Sequence, residues 1–320
     1  MARKAIVAES RQHQKYERLV AATESLSALI TAVAHPCDET SLQGAFEATK
    51  ARMIAPILVG PKDKIHGLAR HLGIDISGME VVDVAHSQAA AEKAVELVRA
   101  GRAELLMKGS LHSDELLAAV TRRETGLRTA RRISHVFVMD VPTHAQTLFI
   151  TDAAVNISPD LGAKRDIVQN AIDLYAGLGL GTPKVAILSA IETVNPSIPS
   201  TIDAAALCKM ADRGQITGGE LDGPLAFDNA ISPDAARVKG IRSPVAGQAQ
   251  ILVVPDLEAG NMLAKNLIFL SNADAAGIVL GARVPVILTS RADNVRTRMA
   301  SCAVAMLLAH SRRAKEPIGV

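Results

Sequence analysis

The stretch VPVILTSRADNVRTRMASCAVAMLLA spans residues 284–309. Its apolar run, 284–288, breaks off at Thr289-Ser290-Arg291-Ala292-Asp293, and apolar residues then resume with a different spacing. A short unbroken apolar run bounded by polar residues is the pattern of a buried strand, whereas apolar residues three and four apart mark a helix. The stretch therefore predicts a strand, a polar turn and a closing helix over 294–309. That unit is the repeating grammar of α/β proteins.

Working outward, the same grammar recurs. Helices are predicted at 16–33, 38–51, 62–73, 87–101 (capped by Ser87), 159–176 and 201–214. A short strand is placed near 31–34, and longer ones at 55–61, 79–84, 103–109, 183–191, 250–254, 275–281 and 285–289. Alternation of this kind implies parallel or mixed sheet covered by helices. The expected fold class is α/β, with two α/β domains, each with its own mixed or parallel sheet, and a break near 140–158 around Pro142 and Pro159. Three glycines at 177, 179 and 181 follow a helix and precede a strand. A dinucleotide fingerprint needs the reverse order, so they are read as a helix stop.

Composition narrows the function. The chain of 320 residues is 48% hydrophobic but only 2% aromatic, with a formal charge of +2. Weak positive charge and few stacking rings give no basis for a nucleic-acid partner. No run reaches the roughly 20 apolar residues of a membrane span, and the N-terminus has no signal-peptide pattern. Cys37, Cys208 and Cys302 stand far apart with no metal-ligand spacing, so no metal is expected and a reducing cytoplasmic location is. Phosphate-loop, HExxH and GxSxG patterns are missing from the sequence. His112 and His135 have no partners at metal spacing and read as structural or surface residues.

Ligands of α/β sheets bind beyond the carboxyl ends of strands. Those ends carry Lys108-Gly109-Ser110, Ser189 to Glu192, Asp222-Gly223-Pro224, Pro255-Asp256 with Gly260-Asn261, and Ser290 to Asp293, which reads as polar chemistry gathered at one sheet edge. At a helix start, free N–H groups favour anions. Arg291 adds a two-pronged cation, and Asp293 is a candidate base. The plainer alternative makes Asp293 the helix N-cap and Arg291 a surface ion-pair partner.

LLMKGSLHSDELLAAV, GLRTARRISHVFVMDVP, TDAAVNISPD, DGPLAFDNA, SPVAG, PDLEAGN and SRAD, in that order between about residues 20 and 310, resemble the phosphate acetyltransferase/phosphate butyryltransferase family. The resemblance implies acyl-CoA plus phosphate giving acyl phosphate plus CoA. Both are substrates, and no cofactor is tightly bound. It implies an interdomain cleft like that of isocitrate and isopropylmalate dehydrogenases, with residues 1–148 and 287–320 in one domain and 149–286 in the other. Homodimers or higher homo-oligomers are expected, with no nucleic-acid or membrane partner. The catalytic group carried over is Ser290, Arg291 and Asp293. Asp293 is the base for the CoA thiol, Arg291 holds the phosphoryl group and Ser290 bonds the thioester region. Lys108, Gly109, Arg128, Asp222, Asn229, Gly260 and Asn261 are carried over as substrate-binding. Acetyl-type members have a longer spacing between Ser-Arg and Asp and an Arg in an LRPAL-like stretch. Here LLAAV (116–120) lacks that Arg, which resembles the butyryl branch. Arg128, rather than Arg131 or Arg132, is favoured as a replacement phosphate contact. The rivals are a metal- and NAD-dependent decarboxylating dehydrogenase of related fold, with Asp222 and Asp228 as nearest ligand candidates, and a catalytically inert binding protein.

Overall fold

The computed structural model describes residues 14–290 and 293–315. The first half comprises α1 (Gln14–Ala21), β1 (Leu29–Ala34), α2 (Glu39–Lys50), β2 (Ile54–Gly60), α3 (Lys62–Leu72), β3 (Glu80–Asp83), α4 (Ser87–Arg99), β4 (Leu105–Lys108), α5 (Ser113–Thr121), β5 (Ser134–Asp140) and β6 (Leu148–Thr151). The second comprises α6 (Leu161–Gly177), β7 (Lys184–Leu188), α7 (Pro199–Asp212), β8 (Glu220–Leu225), α8 (Phe227–Ile231), α9 (Pro233–Val238), β9 (Ile251–Val253), α10 (Leu257–Leu270), β10 (Asp274–Leu280), β11 (Val286–Ile287) and α11 (Val295–Lys315).

In place of a sheet for each half, the described strands form one eleven-stranded sheet, ordered β3-β2-β1-β4-β11-β10-β5-β6-β9-β7-β8. The physical reason lies at its centre. β10 pairs antiparallel with both β11 and β5, and β5 antiparallel with β6, so no strand is left to form an edge between the halves. β6 falls inside the stretch read as the break. It pairs through Val136↔Thr151 to Met139↔Leu148 on one side and parallel with β9 on the other. Outside the centre each half is parallel, but the halves run in opposite directions. β1, β2, β3, β4 and β11 point one way, and β6, β7, β8 and β9 the other.

Burial follows strand alternation. One face carries a continuous core from Leu29 and Leu58 through Met107, Ile287, Ile278 and Val136 to Val185 and Ile251, covered by α2, α3, α6, α7 and α11. The opposite face carries two separate cores. Ala34, Val59, Leu106 and Leu288 pack under α4 and α5, and Met139, Ile150, Leu188 and Leu252 pack beside α8, α9 and α10.

Local signals explain most boundaries. Asp38 caps α2 by accepting from the Ser41 amide, and Gly73 stops α3 in a left-handed conformation at φ 64. The cap of α4 is His86, one residue before the expected Ser87, because its ring nitrogen accepts from the Ala89 amide. Residues 29–33, expected to end a helix, form β1. They are almost wholly buried and hydrogen-bonded between β2 and β4, and that pairing overrides the helical spacing. α11 lies at the seam of the halves, against α2 on one side and β10 and α6 on the other.

Candidate active site

Three loops leave the sheet side by side where β1, β4 and β11 end. Ala34 is in register with Lys108, and Met107 with Ile287. Gly109 donates to the Ala34 carbonyl at 2.8 Å. A Cβ there would stand 2.4 Å from the carbonyl oxygens of both Ala34 and His35, so only glycine lets the loops meet. The Ser110 hydroxyl donates to the His35 carbonyl at 2.8 Å and meets His35 Nδ1 at 2.9 Å. Its single proton being used on the carbonyl, Nδ1 carries the proton of that second contact. Burial, then Lys64, lowers the His35 pKa and favours the neutral ring. His35 follows an apolar run but stands in no quoted motif, and it was not singled out from the sequence.

Lys108 is buried, and its ammonium donates to the Thr289 carbonyl at 3.1 Å, tying the β4 loop to the β11 loop. Arg298, from α11, reaches the same place. It is fully buried and donates to Thr289 Oγ1 at 2.7 Å and to the Ser290 carbonyl at 3.1 Å. Nothing in its sequence setting distinguishes it from Arg296 two residues earlier.

The cap question has a definite answer. Asn294 caps α11 by accepting from the Thr297 amide at 2.9 Å. Asp293 turns back and accepts from the Ser290 amide at 2.7 Å. Burial pushes the Asp293 pKa up, and the Ser290 amide, Arg298, Lys265 and Lys108 pull against that rise. A raised pKa makes a carboxylate a better proton acceptor than an ordinary one. Arg291 lies outside the described residues.

Asp222, Asn229, Gly260 and Asn261 lie on the second half of the sheet. The loops after β6 and β9 leave in the opposite direction, but strand register sets the strand ends Thr151 and Val253 level with Ile287, and Lys265 of α10 faces Asp293. Asp222 lies inside β8, in register with Ala186, and accepts from the Gly223 amide. Asn229 is buried, with its amide 3.5 Å from Glu192. Gly260 presses on the Asp152 carbonyl, where a Cβ would stand at 2.8 Å, and Asn261 donates to the Ala153 carbonyl at 3.2 Å. Asp152 accepts the amides of Ala154, Val155 and Asn156. Arg128 is exposed and bridges to Ala282 beyond the end of β10. Strand register puts Ser290 level with Ala275, roughly 20 Å along the strand direction from the Arg128–Ala282 bridge at about 3.3 Å per residue.

His135 is a buried core residue. Burial alone pushes its pKa down to about 3, so it is neutral. A cavity of about 410 Å³ lies under α1 and α11, lined by Tyr16, Asp140, Tyr175 and Asp274. None of the residues singled out from the sequence lines it, and its carboxylates are engaged: Asp140 pairs with Lys15 and Asp274 with Arg296.

Comparison with known proteins identifies the arrangement. Residues 86–306 match the family described as "Phosphate acetyl/butaryl transferase". The chain belongs to that family. It is 69% identical to a phosphate acetyltransferase of Rhizobium meliloti over 309 residues, 97% of this chain and 98% of that one. It is 41% identical to a phosphate butyryltransferase of Clostridium acetobutylicum over 299 residues, 93% and 99% of the two chains. Both branch names thus occur among this chain's relatives. A branched-chain phosphotransacylase from Enterococcus faecalis superposes with a TM-score of 0.75 at 31% identity, covering 88% of this chain and 99% of that one. A 4-hydroxythreonine-4-phosphate dehydrogenase from Burkholderia phymatum, at 11% identity and a TM-score of 0.53 over 89% and 99%, shares the fold alone. Among the described residues of this phosphate acyltransferase family member, no group of three His, Cys, Asp or Glu could hold a metal, and no helix is long and apolar enough to cross a membrane.

Proposed function

We propose that the protein transfers short acyl groups reversibly between coenzyme A and phosphate at the Ser290–Asp293 loop. The observation that carries this is the Asp293 carboxylate. It is released from capping by Asn294, held on the Ser290 amide and raised in pKa by burial. In the direction that consumes acyl phosphate, Asp293 takes the thiol proton of CoA. The sulfur attacks the acyl carbon, the carbonyl electrons move onto oxygen, and their return expels phosphate. The Ser290 hydroxyl and the Arg291 guanidinium are assigned to the thioester region and the phosphoryl group. Aligned reactants and stabilised oxyanion charge supply the catalysis, with no covalent enzyme intermediate. Lys108 and Gly109 hold the loop backbone in place. Arg128, Asp222, Asn229, Gly260 and Asn261 are assigned to parts of CoA away from the reacting atoms.

The split core of the second sheet face supports a two-domain organisation with the cleft between α5 and α10. On α10, Met262, Phe269 and Leu270 are 65%, 73% and 80% exposed, an apolar face that supports a homodimer testable by sedimentation. Buried or half-buried free thiols fit a cytoplasmic site of action. Release of CoA thiol from acetyl-, propionyl- and butyryl-CoA in the presence of phosphate tests the activity and ranks chain length. The reading fails if no acyl-CoA yields phosphate-dependent thiol.

A further inference from the structure

We propose that Arg298 is the positioning residue of the reaction, the group through which α11 and α2 set the backbone of the Ser290–Asp293 loop. The proposal rests on the acyltransferase reading above for its kinetic consequences, but the contacts stand by themselves. Arg298 has no exposed surface. Burying a guanidinium is costly unless its donors are used, and here the two Nη groups serve Thr289, Ser290 and Thr40, while Nε has no partner among the described residues. Nη1 donates to Thr289 Oγ1 at 2.7 Å. Nη2 donates to the Ser290 carbonyl at 3.1 Å and to Thr40 Oγ1, on α2, at 3.4 Å. The same Thr289 offers its carbonyl to Lys108. Thr289 is therefore gripped from β4 through its backbone and from α11 through its hydroxyl, and Ser290 follows with its carbonyl fixed.

The stem of Arg298 is equally constrained. It lies on Gly44 of α2, where a Cβ would stand 2.6 Å from Arg298 Cδ and 3.2 Å from its Cβ. Gly44 is buried inside a helix, where glycine costs about 1 kcal/mol relative to alanine. The close passage of the arginine is the reason for it. The guanidinium also contributes charge. It faces Asp293 from α11, while Lys108 on β4 and Lys265 on α10 face the carboxylate from other elements, with the Ser290 amide bonded to it. Asp38, the cap of α2, faces Arg298 from behind. The structure thus separates two contributions: a fork that fixes the loop, and a positive charge that favours ionised Asp293.

The test uses R298M, R298K and G44A in the full chain, with kcat, KM for acyl-CoA and phosphate, the pH dependence of kcat/KM, thermal unfolding, and hydrogen exchange of the Ser290 and Asp293 amides. A misplacement of about 1 Å can cost on the order of a hundredfold in rate. R298M should therefore lower kcat about ten- to a hundredfold, with KM values changed less than threefold. It should also speed exchange of the two amides and move the acid limb of kcat/KM to higher pH, because a cation facing Asp293 is lost. R298K keeps the charge without the fork. It should leave the acid limb in place and still lower kcat. G44A, which displaces the stem and removes no charge, should resemble R298K. If R298M does not fold, R298K and G44A carry the same comparison. The proposal is overturned if the folded variants lose thermal stability while kcat, the acid limb and loop exchange stay at wild-type values, since Arg298 would then only fill space. If the wild-type protein transfers no acyl group, the acyltransferase reading falls, and the exchange measurements alone decide whether Arg298 orders the loop.

Discussion

Two groups of polar loops make an instructive pair. At one, the ends of β1, β4 and β11 bring Gly109, Lys108, Thr289, Ser290 and Asp293 together, and among the described residues the carboxylate there keeps one amide partner beside several cations. At the other, the loop after β6 buries Asp152 with three backbone amides and the Asn156 side chain on its two oxygens. Burial raises the pKa of both carboxylates. They differ in spare capacity: Asp152 is saturated by its own loop, whereas Asp293 has accepting capacity to offer a substrate. A carboxylate whose lone pairs are all used organises a turn, and one held by a single amide can do acid–base chemistry.

The largest expected effect sharpens that contrast. Asp293→Asn keeps the shape and removes the base, so kcat should fall about 10²–10⁴-fold with little change in KM for acyl-CoA. Near-normal turnover in steady-state assays would make Asp293 a loop brace like Asp152. The sign of its stability effect is opposite. Folding raises the pKa of Asp293, so the folded state holds its proton over a pH range where the unfolded chain has released it. Stability from this group is full below the unfolded pKa and is lost as pH rises through the folded pKa. At neutral pH, Asp293→Asn should unfold no earlier than wild type, and an earlier unfolding transition would contradict the raised pKa.

Gly109→Ala comes next. Its Cβ would meet two carbonyl oxygens at 2.4 Å, so the loops must separate. Overpacking of this kind costs roughly 1–3 kcal/mol, and kcat should drop with stability. A variant equal to wild type in both denaturant titration and turnover would show that these loops need no close approach. In the loop after β6, Asp152→Ala strands buried amides at about 1–3 kcal/mol. It should lower the unfolding midpoint while the folded fraction keeps most of its kcat. A catalytic loss as large as that of Asp293→Asn would erase the distinction between the two carboxylates. The smallest effect belongs to Lys239→Ala. Its half-exposed pair with Glu192, at 3.1 Å, is worth under about 1 kcal/mol, and salt titration of wild type and variant should differ little.

Much of this was legible beforehand. The Ser290–Asp293 turn, the strands ending at Lys108 and Leu188, and the stop at Gly73 follow from apolar spacing and cap chemistry, which act within a few residues. Family motifs carried the reaction. The short strand placed near 31–34 matches the end of β1, but the helix was carried on to 33 because a strand buried on both faces loses the alternation that marks it. β6 was taken for a break because three apolar residues among polar ones carry too little pattern.

The sequence by itself determined the α/β grammar and the polar residues gathered at the closing turn. Each depends on side-chain type and short-range spacing. Only the tertiary structure decided that one sheet spans both halves, that the halves run in opposite directions, and that the strand ends Lys108 and Thr151 nevertheless come to nearly the same level. It also decided that Asn294 rather than Asp293 caps α11, and that Arg298 rather than its neighbour Arg296 turns inward onto the loop. Strand direction and helix rotation are set by contacts between residues far apart in the chain, with Gly44 meeting Arg298 and Lys108 meeting Thr289. Short-range spacing holds no record of those meetings.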